Sequence, residues 1–308
     1  MAVRFVVAHR VDPNNIGDMS SNPLQYFLKE DEYQVVDVAD LGSIAYDTTL
    51  PMIVGGGGLI ENDFMGDFWY QTLESSDFQQ LTEMYHRSWT LVNPQYAELN
   101  QNFHIEYQRL ITNALSQIDN VTGPRFVWGA GHNGTDPNVE FLKIRWPRLF
   151  SKYRLVGLRD FDPSSRFRWI PCASCLHPAF DRKYEIKNEV IWFEHKKQMI
   201  KDFGTDPIPR FVNTGNNMDQ TIELLGSANI ILTNSYHGAY WGTLLKKKVV
   251  LVGGAWSSKF KFMRHPLRIL NKKEHWKDVL DEVVVYENAL DECRQANKDF
   301  WVEIQNNI

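Results

Sequence analysis

The sequence predicts an α/β fold of two Rossmann-like domains facing each other across a cleft. Three observations carry that expectation. Short apolar, β-branched runs alternate with helical stretches, the pattern of a parallel, doubly wound sheet. The alternation pauses near residues 165–180, where prolines and small residues cluster, and restarts after Pro171. At 308 residues the chain also exceeds a comfortable single core. The predicted domains are residues 1–172 and 173–289, with a closing segment, 290–308, packed back on the first.

Each element has its own sequence signal. Arg4–Ala8 is expected as the first strand, followed by the Gly/Asn/Pro-rich loop Asp12–Asp18 and a helix over Pro23–Leu28. Tyr33–Val38 and Met52–Val54 are the next strands, the latter ending in Gly55–Gly58. Residues 76–117 carry helical patterning around a break at Asn93-Pro94, and Arg125–Gly129 and Leu155–Leu158 are strands. In the second domain Val190–Phe193, Arg210–Val212, Ile230–Leu232 and Val249–Val252 are strands. Helices are expected over Lys196–Phe203, Met218–Leu225 and Leu290–Ile304, and Val283–Tyr286 is expected to be short and extended.

Composition bounds the function. Apolar residues make up 43% and charged residues 23%, ordinary for a soluble globular protein. The net charge of −5 argues against general nucleic-acid binding. Local basic clusters, Lys246-Lys247-Lys248 and the run Lys259, Lys261, Arg264, Arg268, suit one anionic ligand or peripheral contact with a membrane surface. The first apolar run is too short for a signal peptide, and no stretch approaches the roughly 20 apolar residues of a membrane span. Cys172, Cys175 and Cys293 form no disulfide framework, so a reducing, cytoplasmic location is expected. One Cys-x-x-Cys pair, Cys172 and Cys175, cannot complete a tetrahedral zinc site, and no metal is expected.

Residues 229–253, NIILTNSYHGAYWGTLLKKKVVLVG, carry the strongest functional signal. A strand stops at Thr233-Asn234-Ser235, a single histidine, His237, follows between Tyr236 and Gly238, and a small-residue helix leads to the next strand. Such a unit delivers His237 to the carboxyl end of a sheet and to a helix N-terminus, where α/β folds bind anions. The bland alternative is a histidine satisfied within its own turn. Other strand ends carry polar tips. Asn15, Gly17 and Asp18 either meet a sugar hydroxyl or form a helix cap using Asp18, Ser20 or Ser21. Gly57 and Gly58 precede Glu61, Asn62 and Asp63; His132 and Asn133 follow Gly129-Ala130-Gly131; Arg159 and Asp160 close another strand. Three of these tips, Asn15–Asp18, Gly55–Gly58 and Gly129–Asn133, are expected to converge on one sheet edge. Arg159 can bind a phosphate or carboxylate through its fork, or pair with Asp160.

Taken in order, these motifs resemble the polysaccharide pyruvyl transferase family: Asn-x-Gly-Asp at 15–18, the Gly-rich strand end, Trp-Gly-x-Gly at 128–131, Arg159-Asp160 and Thr-x-Ser-Tyr-His-Gly at 233–238. The resemblance spans most of the chain. It implies a glycosyltransferase-B-like pair of domains and transfer of the enolpyruvyl unit of phosphoenolpyruvate onto sugar hydroxyls. The product is a ketal on a surface-polysaccharide or exopolysaccharide precursor, whose acceptor can be lipid-linked. Phosphoenolpyruvate is then the donor substrate and no cofactor is needed.

By the same resemblance His237 matches the family's histidine at the phosphoenolpyruvate site and Arg159 an anion contact. Many members carry arginine where this chain has Ser235, so Lys259, Lys261 or Arg264 is expected to supply the missing charge. His237, at an ordinary pKa of about 6.5, is the expected acid, with Asp18, Glu61 or Asp63 as bases. Two other readings stay open: a nucleotide-sugar glycosyltransferase of the same architecture, and a non-catalytic glycan-binding relative.

Overall fold

The strands β1 (Phe5–His9), β2 (Tyr33–Asp37), β3 (Met52–Ile60), β4 (Arg125–His132), β5 (Leu155–Leu158) and β6 (Arg168–Trp169) form one sheet in a computed structural model of the chain. Its spatial order is β2-β1-β3-β4-β5-β6, and every pairing is parallel. The second sheet runs β11 (Arg268–Ile269), β10 (Lys248–Leu251), β9 (Ala228–Thr233), β7 (Asn188–Glu194), β8 (Arg210–Val212), again parallel throughout. The residues described are 2–38, 44–60, 121–132, 150–196, 207–215, 217–252, 258–270 and 274–308.

The central strands read as unbroken apolar runs because both faces are covered. β1 is buried at every position. Counting strands from the first of each sheet, both have the doubly wound 2-1-3-4-5 order, the first with an added edge strand. Each therefore has a switch point, between β1 and β3 in one sheet and between β7 and β9 in the other. Ligand crevices open at such points, beyond the carboxyl ends of the strands.

Four α-helices are described: α1 (Ile16–Met19), α2 (Met218–Gly226), α3 (Tyr236–Leu244) and α4 (Ala289–Gln305). All nine residues of α3 are buried, and apart from His237 and Thr243, whose hydroxyl donates to the Ala239 carbonyl, the helix is largely apolar all round. Its glycines make that possible. A Cβ on Gly238 would lie 2.5 Å from the Phe193 ring, and one on Gly242 2.8 Å from Val249. Helix α4 packs at its start, through Ala289 and Cys293, into the core of the second sheet. Further along, Phe300, Trp301 and Ile304 pack with Phe5, Val7, Ile53, Phe126 and Trp128 of the first.

Several sequence expectations change. The glycines at 55–58 and 129–131 are not loop tips but lie inside β3 and β4, with register shifts after Gly57 and after Trp128. Pro23–Leu28 makes only a short 3-10 turn, Leu24–Tyr26, after which Phe27 leaves the helical region at φ −124°. Val283 is extended, as expected, but Val283–Tyr286 joins no sheet and follows a 3-10 segment, Trp276–Glu282. The short edge strands β6 and β11 carry no apolar alternation that would have marked them. The helices expected over 76–117 and most of Lys196–Phe203 lie outside the described residues.

Candidate functional site

The two switch points meet. Asp12, after β1, is ion-paired with Lys196, after β7. Gly17 in α1, also after β1, lies against His237 in α3, after β9: a Cβ built on Gly17 would sit 2.0 Å from the imidazole Nδ1. Only a residue without a side chain fits between them.

Helix α3 sets the direction of the histidine. Ser235, in extended backbone, caps the helix, its Oγ accepting from the Gly238 amide at 3.4 Å and from Asn213 Nδ2 at 3.2 Å. The next residues enter the first turn with Tyr236 and His237 buried. One turn on, Trp241 lies beneath the imidazole, ring centroids 4.8 Å apart. The Cys172 sulfur lies 3.8 Å from Nε2. The imidazole is thus bounded by α1, Trp241 and the connection between the sheets.

Charge gathers around it. Arg159, at the carboxyl end of β5, is buried with its guanidinium 4.3 Å from the centre of the Tyr236 ring and 3.3 Å from Asp160. Its place is made by Gly131, where a Cβ would lie 2.4 Å from the guanidinium Nε. Lys259 is also buried. Burial first, then the Arg159 charge, bring its pKa down to about 7, against the opposing pull of Asp18 and Asp160. Burial, then Arg159, Lys259 and His195, push His237 down to about 3. That overturns the expectation of an ordinary histidine exchanging protons near neutral pH: in the free site the imidazole is neutral. Asp18 moves the other way, to about 6, through burial and the nearby Asp12 carboxylate, with Lys196 and Arg10 opposing.

The predicted residues sort plainly. His237, Arg159, Lys259, Tyr236, Gly17 and Asp18 are brought together by these contacts and charge couplings. Asn15 is the cap of α1, its amide oxygen accepting from Gly17 at 3.2 Å while its nitrogen donates to Asp18 at 2.7 Å. The N-terminal cap offered to Asp18, Ser20 or Ser21 is therefore Asn15's, and Ser20 is instead the C-cap, its amide donating to the Ile16 and Asp18 carbonyls. Gly57, with φ +88°, lies beside Ser21 and Asp18. The neighbouring Gly56 is required by the chain itself, since a Cβ there would meet the Ser21 carbonyl at 2.0 Å. Gly58 follows within β3. Gly238 and Ser235 serve packing and capping, as their contacts show.

Arg264 goes elsewhere. Its guanidinium stacks on Phe161 and Trp169, 4.6 and 5.0 Å from the ring centres, and pairs with Glu292 at 3.5 Å. Lys261 is exposed. His132 ends β4, its side chain outside the description, and Glu61, Asp63 and Asn133 lie outside the described residues. Sequence reasoning saw Cys172 only as half of a Cys-x-x-Cys pair and missed its contact with a histidine 65 positions away, as it missed the Asp12–Lys196 clasp. Neither contact has a local signature.

Among the described residues, no three His, Cys, Asp or Glu side chains are grouped to hold a metal, and no helix is long and apolar enough to cross a membrane. Chemically, a neutral imidazole between two buried cations and a half-buried carboxyl suits an anion that brings its own negative charge. No protein-family model matches the chain, and no curated protein matches it. Among solved structures, a functionally uncharacterised protein of Klebsiella pneumoniae subsp. pneumoniae is similar at 15% identity, over 82% of this chain and 84% of its own, with a TM-score of 0.38. A likeness at that score transfers neither fold nor activity.

Proposed function

We propose that the chain is a pyruvyl transferase that moves the enolpyruvyl unit of phosphoenolpyruvate onto a sugar diol as a ketal, releasing phosphate. The observation that carries the reading is the pair of buried cations, Arg159 and Lys259, both acting on His237. Together with the motif order, it supports a donor that carries phosphate and carboxylate on adjacent atoms. A glycosyltransferase-B-type cleft, a glycan-precursor acceptor and a cytoplasmic location, where phosphoenolpyruvate is made, belong to the same proposal.

In the proposed reaction an acceptor hydroxyl adds to C2 while a proton adds to C3. Phosphate then leaves and the second hydroxyl closes on C2. Of the two hydroxyl protons, one ends on C3 and one on phosphate, so the sum is diol plus phosphoenolpyruvate giving ketal plus phosphate. Donor binding offsets the charges of Arg159 and Lys259 and so raises the His237 pKa from its resting value. The histidine becomes an acid only when the donor is present. Asp18 and Lys259, titrating near neutral pH, are suited to accept the hydroxyl proton and to hold the departing phosphate.

The test is phosphate release from phosphoenolpyruvate across a panel of acceptor glycans, with thermal shift by phosphoenolpyruvate compared with sugar nucleotides. Stabilisation by sugar nucleotides alone would replace this reading with a glycosyltransferase. No stabilisation and no turnover with any of them would leave a glycan-binding protein.

A further inference from the structure

Cys172 and Cys175 drew attention in the sequence, yet the reaction above gives them no part. Both are buried. Cys175 faces Asn297 of α4, whose amide nitrogen lies 3.4 Å from its sulfur. Cys172 has a different neighbourhood. Its sulfur is 3.2 Å from Ser174 Oγ and 3.8 Å from His237 Nε2, and its backbone carbonyl accepts from the Tyr240 hydroxyl at 2.9 Å.

One direction in this chain of bonds is fixed at its far end. The Trp241 indole can only donate, and it donates to Ser174 Oγ at 3.0 Å. Having accepted there, the Ser174 hydroxyl still has its proton to give, and the Cys172 sulfur stands 3.2 Å from it. The Ser174 amide donates to the same sulfur. Burial holds the thiol in its protonated form, raising its pKa above the ordinary value. A sulfur that accepts twice and keeps its proton has that proton left to give, and the acceptor in reach is His237 Nε2.

We propose that Cys172 is a positioning residue that fixes His237 in the Nδ1–H tautomer, through the donor chain Trp241, Ser174, Cys172. The proton of the neutral imidazole then stands on the edge that faces α1, where Gly17 makes room for it, and Nε2 is withdrawn from the ligand. The inference deepens the proposed reaction, for which it names the tautomer in which His237 rests before the donor arrives. Its geometric part stands without that reaction. Trp241 has two tasks on this account, since it also supports the imidazole face, so the cleaner substitutions are at Cys172 and Ser174.

The tautomer is read directly by long-range 15N–1H correlation on the full chain labelled at histidine, with the His237 signals assigned from the His237→Gln spectrum. The wild type is expected to show the Nδ1–H pattern. Cys172→Ala should move it to Nε2–H or to an average of both, and Cys172→Ser should restore it, because a hydroxyl donates in the same place. Ser174→Ala should shift it part of the way. A wild type with Nε2–H, or a pattern unmoved by Cys172→Ala, overturns the proposal. Phosphate release measured on the same variants should fall about tenfold or more in kcat for Cys172→Ala, with KM for phosphoenolpyruvate little changed, and recover in Cys172→Ser. A wild type that releases no phosphate with any acceptor refutes the reaction, while the spectra still decide the tautomer.

Discussion

Gly17 and His237 are fitted to each other: the space a Cβ on Gly17 needs is held by imidazole Nδ1, 2.0 Å away. The two residues come from different sheets, so the contact joins the sheets as well as shaping the site. Gly17→Ala is expected to destabilise by about 1–3 kcal/mol, the ordinary penalty for overpacking. In a His237→Ala background the same change should be nearly neutral, because the obstructing ring is gone. Urea melts of the four proteins in the cycle give the coupling. Additive effects would mean that α1 and α3 do not meet in solution.

Acid should weaken the fold through its histidines. His237 and His9 have folded pKa values of about 3 and about 4, against 6.5 when exposed. Between those limits the unfolded chain binds more protons, so stability falls as pH drops below about 6.5. Asp18 opposes this: its folded value of about 6, against an ordinary 3.8, lowers stability as pH rises across that interval. Two histidines with wider shifts outweigh one carboxyl. Lys259, brought from 10.5 to about 7, adds a further rise above pH 7, so thermal midpoints should rise from pH 4 through pH 8, and His237→Gln should flatten the acid limb.

Lys259→Met should separate binding from folding. The substitution removes a buried charge whose pKa has already fallen to about 7, so the melting temperature of the free protein should not fall. The thermal shift produced by phosphoenolpyruvate should be lost or reduced several-fold. Arg159 cannot be used this way, because its removal leaves Asp160 buried at the same spot. A full ligand shift in Lys259→Met would remove the lysine from the site.

Ser235→Arg, which restores the charge common in the resembling family, should fail here. Ser235 is 1% exposed and its hydroxyl caps α3 while accepting from Asn213. Loss of the cap alone costs about 1 kcal/mol, and the larger side chain adds overpacking. Lower expression and a reduced melting temperature are expected, with no gain in phosphate release.

Asn297→Leu tests the joint behind the site. Its amide oxygen accepts the Trp128 indole at 2.7 Å, and its nitrogen donates to the Cys293 carbonyl at 2.9 Å and the Pro171 carbonyl at 3.3 Å. Leucine leaves the buried indole N–H without that acceptor, at a cost of about 1–3 kcal/mol. Urea unfolding measures it directly.

The legible part of the fold was the central strands. β1, β7, β9 and β10 are buried on both faces, so their composition is dictated by the core and can be read back from it. Edge strands such as β6 and β11 answer to few neighbours and leave little imprint. The glycine runs misled because their need is local to the chain: Gly56 yields to the Ser21 backbone and Gly131 to Arg159, neither of which is near in sequence. At the site, His237 and Arg159 stood out by residue type and strand-end position. The histidine's charge state did not, since it depends on Arg159 and Lys259 arriving from distant segments. The same holds for Cys172, whose meaning lies in Ser174 and Trp241 together.

Helix α4 sets an order in time. The Phe300, Trp301 and Ile304 side chains that pack with the β1 residues Phe5 and Val7 emerge almost 300 residues after them. The start of the same helix completes the core that holds α3. A nascent chain therefore carries both halves of the candidate site long before it carries the strut that packs against both sheets. The geometry around His237 therefore waits for residues 289–305, whose Ala289 and Cys293 share one core with Tyr236 and Cys172.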